Sequence, residues 1–282
     1  MTSAIFCEIA GHRTWLKWHR GRRCACDTAF TSERLLEGMN AGASIEVDLR
    51  KHAGGGFAVL HDAVLGREAT GEGRVCDLDA NALRALFRRD NDGRPTRSPV
   101  LVLADLPTVF ENEDIPESSL LQLDLKEDRA AIEPADVAAF AAAVTPLKRN
   151  AILSGGDAEA VACLAAAVPG LRIGHDPCHE ERLVDMARTR RYDDFVAAAL
   201  AEAPDAAMIY LHYRLVLDAM DAGHDLIAAF QAARKRVDAY TIASTSPESL
   251  ATVRRLLALK VDQITTDDPE ALGAAIAAME LA

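Results

Sequence analysis

Eight short apolar segments recur along the 282-residue chain, each strand-length and most separated by stretches long enough for a helix. They fall at 15–18, 44–49, 121–125, 151–154, 171–174, 207–211, 237–242 and 263–266. Between them run Ala-rich segments with helical character at 31–40, 134–144, 158–167, 191–203, 215–222, 246–259 and 269–279. Neighbouring parallel strands need a crossover of a dozen or more residues, and helices supply it here. Eight such units predict a (β/α)8 TIM barrel, an α/β fold that commonly runs to roughly 250 residues as one domain. Asp157 and Ser246 stand where helix N-caps are needed, and Gly170 stands where a turn precedes the fifth strand.

One region exceeds what a βα unit requires. After 44–49, the run Gly54-Gly55-Gly56 offers a turn and 57–61 reads as a returning strand. That strand is too close to its predecessor to be parallel to it, so it is an excursion above the second strand. Residues 62–118 follow, punctuated by Pro95, Pro99, Pro107 and Pro116 and carrying the charged run Arg88-Arg89-Asp90-Asn91-Asp92-Gly93-Arg94. They read as a small insertion capping the barrel mouth, within one domain covering 1–282.

Bulk properties narrow the function. Half the residues are hydrophobic, enough for a sizeable core, and the net charge is −12. A broad basic face for nucleic acid is therefore not expected, and an anionic substrate needs a local positive focus. No apolar run is long enough to span a bilayer and no signal-peptide pattern opens the chain, so no stable membrane anchor and a cytoplasmic location are expected. The six cysteines show no disulfide framework, and cytosolic thiols are normally reduced; Cys24-Ala25-Cys26 lacks the CxxC signature of a metal or redox dithiol, and oxidation near the site mouth is the consequence expected of it.

The chemistry-bearing residues lie at strand ends. In Ile45-Glu46-Val47-Asp48-Leu49, alternation puts Glu46 and Asp48 on one face, where the two carboxylates repel unless a cation lies between them. If the hairpin folds near residue 54 or 55, His61 returns opposite Asp48. Two carboxylates and an imidazole at one strand end resemble a hard-metal site with an acid/base beside it, although a solvated strand end is the plainer reading of the segment alone. Trp15-Leu16-Lys17-Trp18 runs into His19-Arg20-Gly21, which offers a proton-transfer group, a planar anion clamp and a sharp turn. The nearby Gly11-His12-Arg13 lacks the trailing Gly and precedes its strand. In Leu123-Asp124-Leu125-Lys126, Asp124 and Lys126 share a face, so the carboxylate is a candidate oxygen ligand and the ammonium a candidate phosphate clamp; a strand-edge ion pair is the alternative.

The ordered set His-Arg-Gly, Glu-x-Asp, His-Asp, acid-x-Lys resembles the glycerophosphodiester phosphodiesterase family. His19 precedes Glu46 by 27 residues and His61 follows it by 15, the family's spacings. The stretch 67–75 and the closing Thr266-Asp267-Asp268-Pro269 extend the resemblance over nearly the whole chain. There are departures. The family usually has Glu where this chain has Asp124, one methylene shorter. Its Pro-Glu-Asn-Thr run is Thr28-Ala29-Phe30-Thr31 here, and its late Trp-Thr pair is Tyr240-Thr241, which alters the contacts available to the substrate's alcohol.

The resemblance implies a phosphodiesterase that converts glycerophosphodiesters to sn-glycerol 3-phosphate and an alcohol. His19 and His61 would share the acid–base work, and Arg20, Lys126 and Tyr240 would hold substrate. Glu46, Asp48 and Asp124 would hold a divalent ion, with all-oxygen ligands favouring Mg²⁺ or Ca²⁺, then Mn²⁺. A neighbouring substrate hydroxyl is implied to attack first, giving a cyclic phosphate that water opens. Two other readings remain open. One is a lysophospholipase D-like or sphingomyelinase D-like lipid phosphodiesterase; the other is a non-catalytic barrel that binds a phosphorylated metabolite. Asp267 reads as a barrel-closing residue, Asp176-Pro177 as loop punctuation, and His175, His179, His212 and His224 as scattered.

Overall fold

The computed structural model describes residues 5–280. Its strands are β1 (Phe6–Ile9), β2 (His12–Trp18), β3 (Ser44–Lys51), β4 (Phe57–Val59), β5 (Phe87–Arg89), β6 (Pro95–Pro99), β7 (Leu120–Leu125), β8 (Ala151–Gly155), β9 (Arg172–His175), β10 (Met208–His212), β11 (Arg236–Ile242) and β12 (Gln263–Thr266). Strands β2, β3, β7, β8, β9, β10, β11 and β12 pair in parallel in that order, and β12 closes onto β2. This is the (β/α)8 barrel anticipated from the sequence. Each of the eight segments contributes one barrel strand, with ends moved by a few residues.

Alternation along each strand divides the residues between two environments. On β3, Ile45, Val47 and Leu49 are fully buried in a core that includes Leu35 and Met39 of the helix Ser32–Ala41. Burying an aliphatic side chain of this size contributes roughly 1.5–3 kcal/mol. Glu46 and Asp48 face the other way, into the barrel. A second large cluster joins β10, β11 and β12 to the helices around them, so the apolar core forms a sleeve between strands and helices. Thr31 caps the helix Ser32–Ala41 by accepting from the Arg34 amide, and Asp157 and Ser246 cap their helices as expected.

The excursion above β3 is real, but its register differs from the expectation. Strand β4 runs antiparallel to β3 with Leu49 opposite Val59 and Lys51 opposite Phe57, so the turn is centred on Gly54. Gly54, Gly55 and Gly56 all take positive φ, which three side-chain-bearing residues would resist. Leu60 rather than His61 therefore lies across from Asp48, with the Leu60 amide donating to the Asp48 carbonyl at 3.1 Å. The insertion has its own small core around Leu65, Ala69, Val75, Leu83 and Val100, and the β5–β6 ribbon. It ends earlier than residue 118: Leu103, Leu106 and Phe110 join the barrel core, and the helix Leu106–Phe110 serves the second βα unit.

Three other elements were not anticipated. Strand β1 pairs antiparallel with the first half of β2, and the helices Glu180–Thr189 and Leu226–Ala232 occupy stretches that read as loop. Cys24 and Cys26 form a disulfide, although the cysteine spacing shows no disulfide framework. Asp27 accepts from the Arg23 and Cys24 amides, each at 3.0 Å, and the tight turn this makes brings the two cysteines together.

Helix Ser32–Ala41 lies so close to the barrel that a Cβ on Gly38 would meet Ile45 Cδ1 at 2.6 Å and the Trp18 ring at 3.0 Å. Gly38→Ala is expected to lower unfolding free energy by about 1–3 kcal/mol, because overpacking outweighs the gain in helix propensity. Urea denaturation followed by circular dichroism checks this; a variant as stable as wild type would show that the helix can move outward at little cost.

Candidate active site

A cavity of about 250 Å³ opens at the C-terminal end of the barrel strands, where barrel active sites are built. The residues singled out in the sequence arrive there from different elements. His19 and Arg20 leave β2 in a single helical turn, with Arg20 at φ +56° and Gly21 at φ +69°. This unfavourable backbone turns the Arg20 side chain back over β3, its Nε 3.5 Å from Asp48 Oδ2 and its Nη1 3.4 Å from Glu68 Oε1. His61 follows β4, Asp124 and Lys126 end β7, and Tyr240 comes from β11 on the far wall. Arg50 braces two of these arrivals, donating to the His61 carbonyl at 2.8 Å and the Lys126 carbonyl at 2.7 Å.

Glu46, Asp48 and Asp124 each place a carboxylate oxygen within 4.8 Å of the others. Parallel pairing sets Asp48 beside Asp124 in register, which is why two carboxylates distant in sequence meet. Asp48 is fully buried, and among the described residues its carboxylate oxygens are met only by the cations of Lys126 and Arg20. Lys126 Nζ lies 2.9 Å from Asp48 Oδ1 and also pairs with Asp124. A buried carboxylate beside two others, their oxygens within 4.8 Å of one another, has the chemistry of a hard-cation ligand set. The residues present therefore fit a divalent ion held by Glu46, Asp48 and Asp124. Asp124, with its short side chain, is fixed by Ser154 Oγ, which donates to its Oδ1 at 2.9 Å.

Below this level the barrel interior is polar. Lys17, 1% exposed, sits 3.3 Å from Glu46 Oε2 and 3.5 Å from Asp238 Oδ2, with its ammonium 4.6 Å from the Tyr210 ring centre. Burial opposes its charge, but Asp238, Glu46 and Asp124 more than offset this and hold its pKa above the usual lysine value. Burial likewise works against ionised Glu46, yet Lys17 and His19 keep its pKa below the ordinary carboxylate range. For Lys126, desolvation is again outweighed, here by Asp124, Asp48 and Glu46, so its ammonium is firmly charged. Gln263 and Thr265 complete the coordination of Asp238 by donating at 2.6 and 2.7 Å.

Each imidazole rests on a carboxylate through Nδ1. His19 Nδ1 is 2.6 Å from Asp267 Oδ1, and His61 Nδ1 is 2.9 Å from Asp62 Oδ1. Hydrogen bonds from Arg67 and then His61 hold the Asp62 pKa far below its usual value. Burial raises that of Asp267, but His19 and Arg22 overcome it and leave it lowered. An ionised carboxylate only accepts, so both Nδ1 atoms carry the proton and both Nε2 atoms are left for the cavity. His19 Nε2 lies 3.9 Å from Glu46 Oε1.

All eight sequence candidates thus gather at one mouth. Tyr240 does not stand alone there: its hydroxyl donates to Asp176, 2.8 Å from Oδ2. Asp176, read from sequence as loop punctuation, lines the cavity, and burial pushes its pKa up to about 7. Lys17, Asp62, Glu68 and Asp267 were also missed as supports. A charged residue within an apolar strand was the available signal for Lys17, whereas Asp267 needs the closure of β12 on β2 to reach His19. The remaining histidines lie elsewhere: His12 bonds the Val261 carbonyl, His52 the Ala53 carbonyl, His175 faces Glu202, His179 and His212 cap helices, and His224 meets Asp193.

The mouth of this (β/α)8 barrel thus joins two carboxylate-backed histidines, an arginine, a lysine and three carboxylates that could hold a metal ion, groups suited to phosphoryl-transfer chemistry. The sequence profile of the glycerophosphoryl diester phosphodiesterase family matches residues 31–271, and the chain belongs to that family. No curated protein sequence matches it. Solved structures share its fold at low identity. A glycerophosphodiester phosphodiesterase from Thermotoga maritima is 21% identical with a TM-score of 0.64, over 93% of this chain and 97% of that one. One from Agrobacterium tumefaciens is 20% identical with a TM-score of 0.65, over 93% and 99%. An Oleispira antarctica phosphodiesterase, solved with the product sn-glycerol-3-phosphate, is 19% identical with a TM-score of 0.64, over 93% and 96%.

Removing the buried cation under the site has a defined consequence. Lys17→Met leaves Glu46 and Asp238 facing each other without compensation, and truncating one member of a buried ion pair costs about 3–5 kcal/mol. Denaturant midpoints for Lys17→Met and for Lys17→Met/Asp238→Leu provide the check. The double variant is expected to regain part of the loss; equal midpoints for wild type and Lys17→Met would mean that the network does not stabilise the fold.

Proposed function

We propose that the protein, as one barrel domain, hydrolyses glycerophosphodiesters to sn-glycerol 3-phosphate and an alcohol. The observation that carries this reading is the convergence of two histidines, Arg20 and Lys126 around three carboxylates at one barrel mouth, in a chain whose residues 31–271 match the family. A divalent ion held by Glu46, Asp48 and Asp124 would supply Lewis-acid neutralisation of a phosphate oxygen; Mg²⁺ or Ca²⁺ fits the oxygen ligands best, then Mn²⁺. Arg20 and Lys126 hold the remaining negative charge as it grows. One histidine Nε2 takes the proton of the attacking hydroxyl, and the other gives a proton to the departing alcohol oxygen. Asp267 and Asp62 stabilise the imidazolium formed at each Nδ1 side. With a glycerol hydroxyl as the first nucleophile, the diester closes to a cyclic phosphate and releases the alcohol. Water then opens the ring with the two histidines exchanging roles.

The cavity lining carries no aliphatic side chain, which favours a polar head group over an acyl chain. Among the described residues no helix is long and apolar enough to cross a membrane. His19, His61, Arg20 and Lys126, to which the family resemblance assigns the proton and phosphate work, are all present, which favours an enzyme over a binding module.

Release of sn-glycerol 3-phosphate from glycerophosphocholine tests the reading. Activity should vanish in EDTA, return with added divalent metal, and fall by about 10²–10⁴-fold in His19→Ala and in His61→Ala. Turnover unchanged in either variant would remove that histidine from the chemistry, and no release with any metal would remove the reaction. Asp267→Asn should reduce kcat while leaving KM and metal affinity near wild type, since its effect is on the tautomer and charge of His19. A loss confined to KM would assign Asp267 to substrate binding instead.

A further inference from the structure

Beside the candidate active site, and sharing Arg20 with it, lies a second cavity of about 500 Å³ between the barrel rim and the β5–β6 ribbon. Its charge sets it apart. In a chain of net charge −12, five guanidinium groups line it, those of Arg20, Arg22, Arg67, Arg88 and Arg89.

The three carboxylates on the same wall are committed elsewhere. Glu68 accepts from the His61 and Asp62 amides at 2.9 and 3.2 Å and faces Arg20. Asp90 accepts from the Asp92 and Arg94 amides, and Asp92 pairs with Arg94 at 2.7 Å on the exposed rim. Arg22 and Arg67 are likewise engaged, by Asp267 and Asp62. Arg88 and Arg89 are different: among the described residues, neither has a carboxylate within ion-pair distance. Arg88 donates to the Ala29 and Val59 carbonyls, both at 3.2 Å, and Arg89 to the Ala69 and Gly93 carbonyls at 3.1 and 2.8 Å. Arg88 is 1% exposed, with its guanidinium stacked 4.7 Å from the Phe30 ring centre. Burial pushes its pKa down to about 10; Glu68 and Asp48 pull it back up in part, while Arg20 and Arg22 add repulsion. Carbonyl dipoles and the more distant Glu68 offset only part of a buried full charge, and five guanidinium groups against three carboxylates in the lining leave this wall with a positive excess that an anion would compensate.

We propose that this cavity is an anion subsite for a second phosphate group, carried on the alcohol arm of the substrate or bound as free phosphate. Arginine forks suit phosphate oxygens, and Arg20 joins the two cavities, so one ligand can present a diester to His19 and His61 and a second phosphate to Arg88 and Arg89. The substrate-borne form rests on the phosphodiesterase reading of the neighbouring cavity; the free-phosphate form does not.

The test compares glycerophosphoinositol with glycerophosphoinositol 4-phosphate in wild type, Arg89→Gln and the charge-preserving Arg89→Lys. In wild type, kcat/KM for the phosphorylated ester should exceed that for its parent by about tenfold, the scale of one charged hydrogen bond. Arg89→Gln should bring the ratio near one without changing the parent's value, and Arg89→Lys should retain most of it. If free phosphate is the ligand, the two esters are cleaved alike, but millimolar inorganic phosphate alters hydrolysis of the parent in wild type and not in Arg89→Gln. Calorimetric titration of both esters and of inorganic phosphate into His19→Ala, with and without Arg89→Gln, reads the subsite without turnover. No cleavage of either ester would count against the phosphodiesterase reading alone. Affinities for the phosphorylated ester and for phosphate that are indifferent to Arg89→Gln would overturn the subsite.

Discussion

Three carboxylates from two adjacent strands, Glu46, Asp48 and Asp124, project into one barrel, and the cations that offset their repulsion organise what surrounds them. Lys17 stands beneath Glu46, Lys126 beside Asp48 and Asp124, and Arg20 above Asp48. Each cation arrives by a different route: from a strand interior, from the end of β7, and from a turn with positive φ. Inside a barrel closed by eight parallel strands, water is largely excluded, so charge has to be met by charge and by hydrogen bonds. That need accounts for the polar layer of Gln122, Ser154, Asp238, Gln263 and Thr265 below the mouth, where aliphatic packing would otherwise fill the barrel.

The same logic extends outward. His19 and His61 have separate carboxylate supports, Asp267 from the last strand and Asp62 from the start of the insertion. Glu68 then anchors the backbone of His61 and Asp62, and Arg50 ties the His61 turn to the end of β7. The insertion therefore takes part in building the site. It fixes one of the two imidazoles and supplies Arg88 and Arg89 to the adjoining cavity.

Much of this was legible in particular residues. Ile45-Glu46-Val47-Asp48-Leu49 declared its two faces by alternation alone, because a strand has a period of two and apolar residues seek the helices. His19-Arg20-Gly21 announced a strand-end turn, and Gly54-Gly55-Gly56 a hairpin. The one-residue error in placing His61 shows where such reasoning stops: a turn centred on Gly54 pairs Leu60 with Asp48, and a half-residue shift of that centre would pair His61 instead. Composition gave no hint that Arg88, inside a charged run, would be 1% exposed. Tyr240 was read by resemblance, but its hold on Asp176 joins two residues 64 positions apart.

By itself the sequence determined the barrel, the eight candidate residues and their arrival at strand C-termini. These are consequences of local periodicity, strand-ending turns and ordered spacing, which act over a few residues at a time. Tertiary structure decided which charges compensate which. Lys17 finds Asp238, His19 finds Asp267, and Arg88 is left with carbonyls, because closing the ring sets side chains from the two ends of the chain against each other. Electrostatic partnership depends on distance and burial rather than on separation along the chain, and both exist only once the barrel has closed.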